Sequence, residues 1–267
     1  MSCLTLSAPI VLAHGMFGFS QIGYGRLALA HYFRGIPEAL RASGNRVLVT
    51  RVHPTAGVVR RARKLGERIE SVYAQEPVHI IGHSMEGLDA RVLLADPAWE
   101  GRILSLTTIG TPHLGSALAD AARLRMRHVY RVLQLLRLDH AGFLDVTREA
   151  ARALDRRLVA PAEVPCFSIA GNPTPEDVCP PLRRFFALLE RWEGPNDGLV
   201  PLESALGFGT PLPPWPLDHL RQMNWFCPST DARGLPTALD LYASAVENLV
   251  GCGFGVPVGA DLGDLRR

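Results

Sequence analysis

The sequence predicts an α/β fold, a mainly parallel central sheet flanked by helices, in a single domain spanning 1-267. Three observations carry that expectation. Short apolar runs that read as buried strands alternate with amphipathic stretches that read as helices, the pattern of βαβ units. The chain has 267 residues, 47% of them hydrophobic, enough to bury one large core. A serine stands on a tight turn directly between a strand run and a helix run.

The elements follow in order. Pro9 to Ala13 is an apolar run ending at His14-Gly15 and reads as a buried parallel strand. A glycine-rich loop continues to Gly25. Phe33 to Ala42 reads as a helix stopped by Ser43-Gly44-Asn45, and Arg46 to Thr50 as a second strand. Val58, Ala62, Leu65, Ile69 and Val72 recur at helical spacing, with Arg60, Arg61, Lys64 and Glu67 between them. An amphipathic helix with a solvated charged face is expected there. Val78 to Ile81 is a third strand, Leu88 to Ala95 a helix, Ile103 to Ile109 a fourth strand and Val164 to Ala170 a fifth. Leu235, Leu239, Tyr242, Val246 and Leu249 mark a closing helix, with Gly251 placed to cap it. The segment 117-161 breaks the rhythm: it is helical, carries Val129, Val132, Leu133 and Leu136 on one face, and holds no strand. It is expected to be a helical lid or cap lying over the end of the sheet. Pro211 to Pro216 reads as a proline-rich loop.

Composition narrows the function classes. The formal net charge is only +2, so there is no nucleic-acid footprint. Cys3, Cys166, Cys179, Cys227 and Cys252 are scattered, an odd count without metal-ligand spacing. Free buried thiols and no metal site are expected. The apolar run Ile10 to Ala13 is too short for a secretory h-region or a membrane span. The expectation is therefore a chain that works inside the cell, or a processed form of a secreted one.

The chemistry is concentrated around Gly82-His83-Ser84-Met85-Glu86-Gly87. A serine on a sharp strand-to-helix turn is a nucleophile elbow, the hallmark of the α/β-hydrolase fold: it exposes the hydroxyl above the sheet, at a helix N-terminus that favours developing negative charge. The usual pattern is G-x-S-x-G. Here Glu86 occupies the second glycine's place, and Gly87 follows one position later. The glutamate is expected to turn outward or to loosen the elbow. A serine hydroxyl needs a base, and the base an orienting acid, in the chain order Ser, Asp or Glu, His. Asp197, in Asn196-Asp197-Gly198-Leu199-Val200, and His219, in Leu217-Asp218-His219-Leu220, satisfy that order. Asp218 competes for the acid's role, but a side chain rarely folds back onto the ring that follows it. The oxyanion hole is expected from the backbone N–H groups of Met85 and of Met16 in the loop His14-Gly15-Met16-Phe17-Gly18. Each such donor is worth about 3 kcal/mol of transition-state stabilisation. Phe17, Phe19, Leu133 and Leu136 are candidates to line an acyl pocket.

These residues resemble the bacterial true lipases of the Pseudomonas and Burkholderia type. The likeness runs from His14-Gly15-Met16-Phe17-Gly18-Phe19 and Gly35-Ile36-Pro37-Glu38-Ala39-Leu40-Arg41 through the elbow. It continues in Thr111-Pro112-His113-Leu114-Gly115-Ser116, Asn196-Asp197-Gly198-Leu199-Val200 and Asp218-His219-Leu220 with Asn224. It implies Asp197 and His219 as acid and base, Met16 as an oxyanion donor, a helical lid, and ester hydrolysis through an acyl-enzyme. It also implies a lipid or other ester substrate and transient contact with a lipid surface. The short lid favours soluble or short-chain esters. Such lipases bind a structural calcium through two aspartates. Asp177 matches one, but Arg221 stands at the other, so the site is expected to be lost, with Arg221 pairing to Asp177 in place of the ion. The family disulfide is not expected, since Glu203 lies near its second cysteine's position. No cofactor is implied. Two other readings stay open: another acyl hydrolase (thioesterase, polyesterase or amidase), or a catalytically impaired binder of apolar ligands, for which Glu86 is the reason.

Overall fold

The computed structural model describes residues 4–13, 32–53, 55–125, 141–225, 227, 234 and 236–257. Along the chain these form β1 (Ile10–Ala13), α1 (Ile36–Ala42), β2 (Val47–Thr50), α2 (Val58–Tyr73), β3 (Val78–His83), α3 (Met85–Leu94) and β4 (Ile103–Ile109). Then come α4 (Ala117–Arg125), α5 (Ala141–Asp145), α6 (Arg148–Asp155), β5 (Cys166–Ile169), α7 (Arg183–Glu193), α8 (Leu202–Ala205), β6 (Thr210–Pro211) and α9 (Ala238–Leu249). The strands make one sheet, ordered β2-β1-β3-β4-β5-β6 with every pairing parallel. The five sequence-read strands are all present.

Apolar residues occupy both faces because both are covered by helices. Along β1, Ile10 and Leu12 face a cluster with Ile36 and Leu40 of α1 and Tyr242 and Val246 of α9. Val11 and Ala13 face the opposite cluster, with Leu65 and Ile69 of α2 and Leu93 of α3. The chain leaves β1 toward β2 on one side and reaches β3 on the other. This reversal opens a crevice beyond the carboxyl ends of the central strands, where α/β sheets place their sites.

Several boundaries differ from the sequence expectation. The first helix begins at Ile36, not Phe33, because Gly35 takes φ 75 as its N-cap and Pro37 sits in the first turn. The short strand β6 falls at the edge of the proline-rich loop, and α7 arises in a stretch without a sequence assignment; its core side offers only Phe186 and Leu189 as buried residues. α9 starts from a capping box between Thr237 and Asp240 and runs into a π-helical turn, Val250–Phe254. Gly253, at φ 92, supplies the left-handed residue there rather than Gly251. The described parts of 117–161 are helical, as expected; residues 126–140, with Leu133 and Leu136, lie outside the described residues. Asp145 of α5 accepts from the Val58 N–H at 2.7 Å, fastening this segment to the start of α2.

Two predictions follow from the core. Gly66 of α2 lies against α3: a Cβ there would stand 2.9 Å from Trp99 and 3.0 Å from Leu93. Gly66→Val therefore overpacks the contact and lowers stability by about 1–3 kcal/mol in urea denaturation. His79 is fully buried in β3, bonded to Ser105 Oγ at 2.7 Å. Burial holds its pKa down at about 4, against 6.5 for the free side chain. The unfolded chain thus takes up this proton first, and stability falls as pH drops from 6.5 toward 4. Burial depresses His113 in the same direction. Urea midpoints measured across that range fall on acidification, and less steeply in His79→Gln.

Candidate active site

β3 ends at His83 and the chain turns at once into α3 through Ser84, whose φ of 60 and ψ of −134 place it where non-glycine residues rarely stand. Such backbone costs about 1–3 kcal/mol and persists only where its surroundings enforce it. Here the Ser84 N–H donates to the Ile109 carbonyl at 2.8 Å, tying the turn to β4. The helix also passes very close to the sheet. A Cβ on Gly82 would be 3.0 Å from Gly87 Cα, and one on Gly87 only 2.0 Å from Thr111 Oγ1. Gly82 and Gly87 are therefore the close-packing pair of this elbow.

Glu86 neither turns outward nor loosens the turn, contrary to the sequence expectation. It is buried, and its carboxylate meets Arg61 of α2 at 2.8 Å. Arg61 Nε also holds Asp89 at 2.9 Å, and Arg61 Nη1 donates to the His53 carbonyl. The solvated basic face expected on α2 thus fails at Arg61, which is wholly buried while Arg60 and Lys64 remain exposed. Burial alone would lower the guanidinium's pKa, but the Glu86 and Asp89 carboxylates override it and raise it. Burial pushes the Asp89 carboxyl up, against the pull of Arg61. The cluster pins the first turn of α3 to α2.

Above this elbow the separate loops converge. His219 Nε2 lies 3.0 Å from Ser84 Oγ, and His219 Nδ1 lies 2.7 Å from Asp197 Oδ2. A carboxylate only accepts, so Nδ1 carries the hydrogen and Nε2 is left to accept the serine hydroxyl. All three side chains are buried, Ser84 being the most accessible at 7%. Asp197 is set by its own turn. Its Oδ1 accepts from the Leu199 and Val200 N–H groups at 3.0 and 2.8 Å. Its neighbours complete the turn: Asn196 Oδ1 accepts from Gly198 N–H, and Gly198 adopts φ 95. The His219 N–H donates to the Asp197 carbonyl at 2.9 Å, so one backbone bond joins the two loops.

Asp218 takes no part. Its carboxylate accepts from the Leu220 and Arg221 N–H groups and from Cys179 N–H, which turns it away from His219. Met85 is the first residue of α3, directly after Ser84, so its N–H belongs to the free amides of the helix start. Met16, Phe17 and Phe19 lie outside the described residues. Three residues at the site were not among the expected site residues: Tyr32, Gln222 and His83, the last of which stands inside the elbow motif. Gln222 Nε2 donates to Asp197 Oδ2 at 3.0 Å, and its Oε1 meets His83 Nε2 at 3.0 Å. Cys166, Cys179 and Cys227 are buried free thiols, as expected, and Cys252 is an exposed one.

The family resemblance implies a calcium held through Asp177 and a second aspartate, at whose position Arg221 stands. Among the described residues no group of three His, Cys, Asp or Glu could hold a metal ion. Asp177 is buried and accepts from Thr174 Oγ1 at 2.7 Å, while the turn after His219 brings the buried guanidinium of Arg221, which has no oxygen to offer.

Removing Arg61 would leave two carboxylates buried side by side. Arg61→Met is expected to destabilise the protein by about 3–5 kcal/mol in denaturant melts. Glu86→Gly also destabilises it and does not raise activity, because the glutamate supports the elbow.

Known proteins resemble this chain in sequence over part of their length and in fold over most of it. No family model matches the chain. A triacylglycerol lipase of Vibrio cholerae is 39% identical over 118 residues, 43% of this chain and 36% of the relative. A triacylglycerol lipase of Pseudomonas fragi is 37% identical over 119 residues. Triacylglycerol lipase 2 of Saccharomyces cerevisiae is 30% identical over 220 residues, 76% of this chain and 65% of the relative. The chain thus spans from about a third to just under two thirds of the length of these relatives. In structure, a metagenomic carboxyl esterase superposes with a TM-score of 0.74 at 18% identity, over 92% of this chain and 76% of its own. The Staphylococcus hyicus lipase superposes at 0.71 and 17%, over 92% and 96%. Taken together, the all-parallel sheet, the strand–serine–helix turn and these superpositions show the α/β-hydrolase fold, and over the matched stretches the sequence is similar to the bacterial triacylglycerol lipases.

Proposed function

We propose that the protein is a serine carboxylester hydrolase, a lipase or esterase, that cleaves acyl esters such as acylglycerols through an acyl-enzyme. The observation that carries the proposal is the unbroken chain of contacts from Ser84 Oγ through His219 to Asp197, on an elbow held by close packing. In this mechanism Ser84 Oγ attacks the ester carbonyl carbon as His219 Nε2 takes its proton. Asp197 holds the imidazole in the reactive tautomer and stabilises the imidazolium. The Met85 N–H, and that of Met16, receive the oxyanion. The intermediate collapses as His219 returns its proton to the departing alcohol oxygen. Water, deprotonated by the same nitrogen, then attacks the acyl-enzyme. The acid leaves and Ser84 regains its proton.

We likewise propose a lid function for the 117–161 segment, acyl-chain binding by Leu133, Leu136, Phe17 and Phe19, and transient contact with a lipid surface. No metal takes part; Arg221, paired with Asp177, takes the place of calcium in holding the His219 loop. The engagement of Glu86 by Arg61 favours this reading over an impaired binder of apolar ligands. Thioester, polyester and amide substrates belong in the same assay panel, since the triad chemistry serves them all.

The test is hydrolysis of p-nitrophenyl esters over a series of acyl lengths. Ser84→Ala is expected to lower kcat by more than about 10⁴-fold, and Asp197→Asn by about 10⁴-fold. A Ser84→Ala variant as active as the parent contradicts the proposal. A chelator is expected to leave activity and Tm unchanged; a large loss of either on chelation contradicts the metal-free loop.

A further inference from the structure

Asp197 Oδ2 is shared. It receives His219 Nδ1–H at 2.7 Å and the side-chain amide of Gln222 at 3.0 Å. The carboxylate can only accept, so the Gln222 NH₂ must face it and the Gln222 oxygen must face His83. That oxygen lies 3.0 Å from His83 Nε2, which therefore carries a hydrogen. A neutral His83 then accepts at Nδ1, where Tyr32 Oη lies 3.1 Å away and donates. The polarity of the whole row follows: Tyr32 O–H to His83, His83 N–H to Gln222, Gln222 N–H to Asp197.

The fold makes room for this row. A Cβ on Gly110, beyond β4, would stand 2.3 Å from Gln222 Oε1. One on Gly171, beyond β5, would stand 2.2 Å from Gln222 Nε2. The amide is thus gripped between two positions that carry no side chain, and Gln222 and His83 are both fully buried. The His83 ring lies 4.7 Å from the His219 ring, so His83 also packs against the imidazole of His219.

We infer that Gln222, oriented by His83 and Tyr32, is a positioning residue that fixes Asp197 Oδ2 toward His219 and tempers the charge His219 meets there. The inference rests on the triad proposed above. It predicts two separable effects. Without the amide the carboxylate is held through Oδ1 by the Leu199 and Val200 N–H groups while Oδ2 loses its second donor, and a misplacement of about 1 Å can cost about 100-fold in rate. Without the competing N–H, the charge on Oδ2 falls on His219 alone and favours the imidazolium.

The experiment is steady-state hydrolysis of a short-chain p-nitrophenyl ester by Gln222→Leu and Gln222→Glu across pH, with Ser84→Ala as control. In Gln222→Leu, kcat is expected to fall at least about tenfold with little change in KM, and the acid limb of the kcat/KM profile to move to higher pH. A folded Gln222→Leu variant with the parent's kcat and acid limb overturns the inference. Should that variant not fold, Gln222→Glu decides. Its carboxyl can donate to Asp197 only when protonated, so its activity relative to the parent should rise as pH falls. A ratio independent of pH overturns the inference. Activity surviving in Ser84→Ala is a different failure, that of the triad itself.

Discussion

The close approach of α3 to the ends of β3 and β4 is the constraint on which the site depends. It exists because Gly82 and Gly87 leave no side chains between helix and strand, with Thr111 filling the remaining space. That contact forces Ser84 into strained backbone, lifts its hydroxyl above the sheet and sets the Met85 amide beside it. The strain is held on one side by the bond from Ser84 N–H to Ile109 and on the other by the Arg61–Glu86–Asp89 triplet. Buried ions of this kind seldom add net stability compared with apolar packing. Their effect here is positional: they give the first turn of α3 a single orientation against α2.

The second requirement is that the buried polar groups around Asp197 and His219 find partners. An unpaired group there costs far more than the same group in water. Asp197 spends one oxygen on its own turn and the other on His219 and Gln222. Asp218 caps the His219 loop and ties it to Cys179. Two neighbouring aspartates thus serve opposite ends, one facing the base and one facing the backbone.

Much of this was legible in the sequence. The five main strands were readable as short, mostly apolar runs, since a parallel strand covered on both faces needs no polar alternation. Ser84, Asp197 and His219 were readable because their motifs are local: a strand–turn–helix, an Asn-Asp-Gly turn, a later loop. The fate of Glu86 was not, because its partner Arg61 lies on another helix and looks, at helical spacing, like any solvated arginine. Gln222 was hidden for the same reason. Its role depends on Gly110, Gly171 and His83, which are distant in sequence and carry no joint signature. The start of α1 was missed by three positions, Phe33 against Ile36, and the left-handed glycine after α9 by two, Gly251 against Gly253.

The central claim is that Ser84 is the activated nucleophile. Intact-mass and peptide mass spectrometry after reaction with an alkyl phosphonate ester test it most directly. One covalent adduct per chain, carried by the peptide containing Ser84, is the expected result. A chain left unmodified, or modified at another residue, would contradict the account.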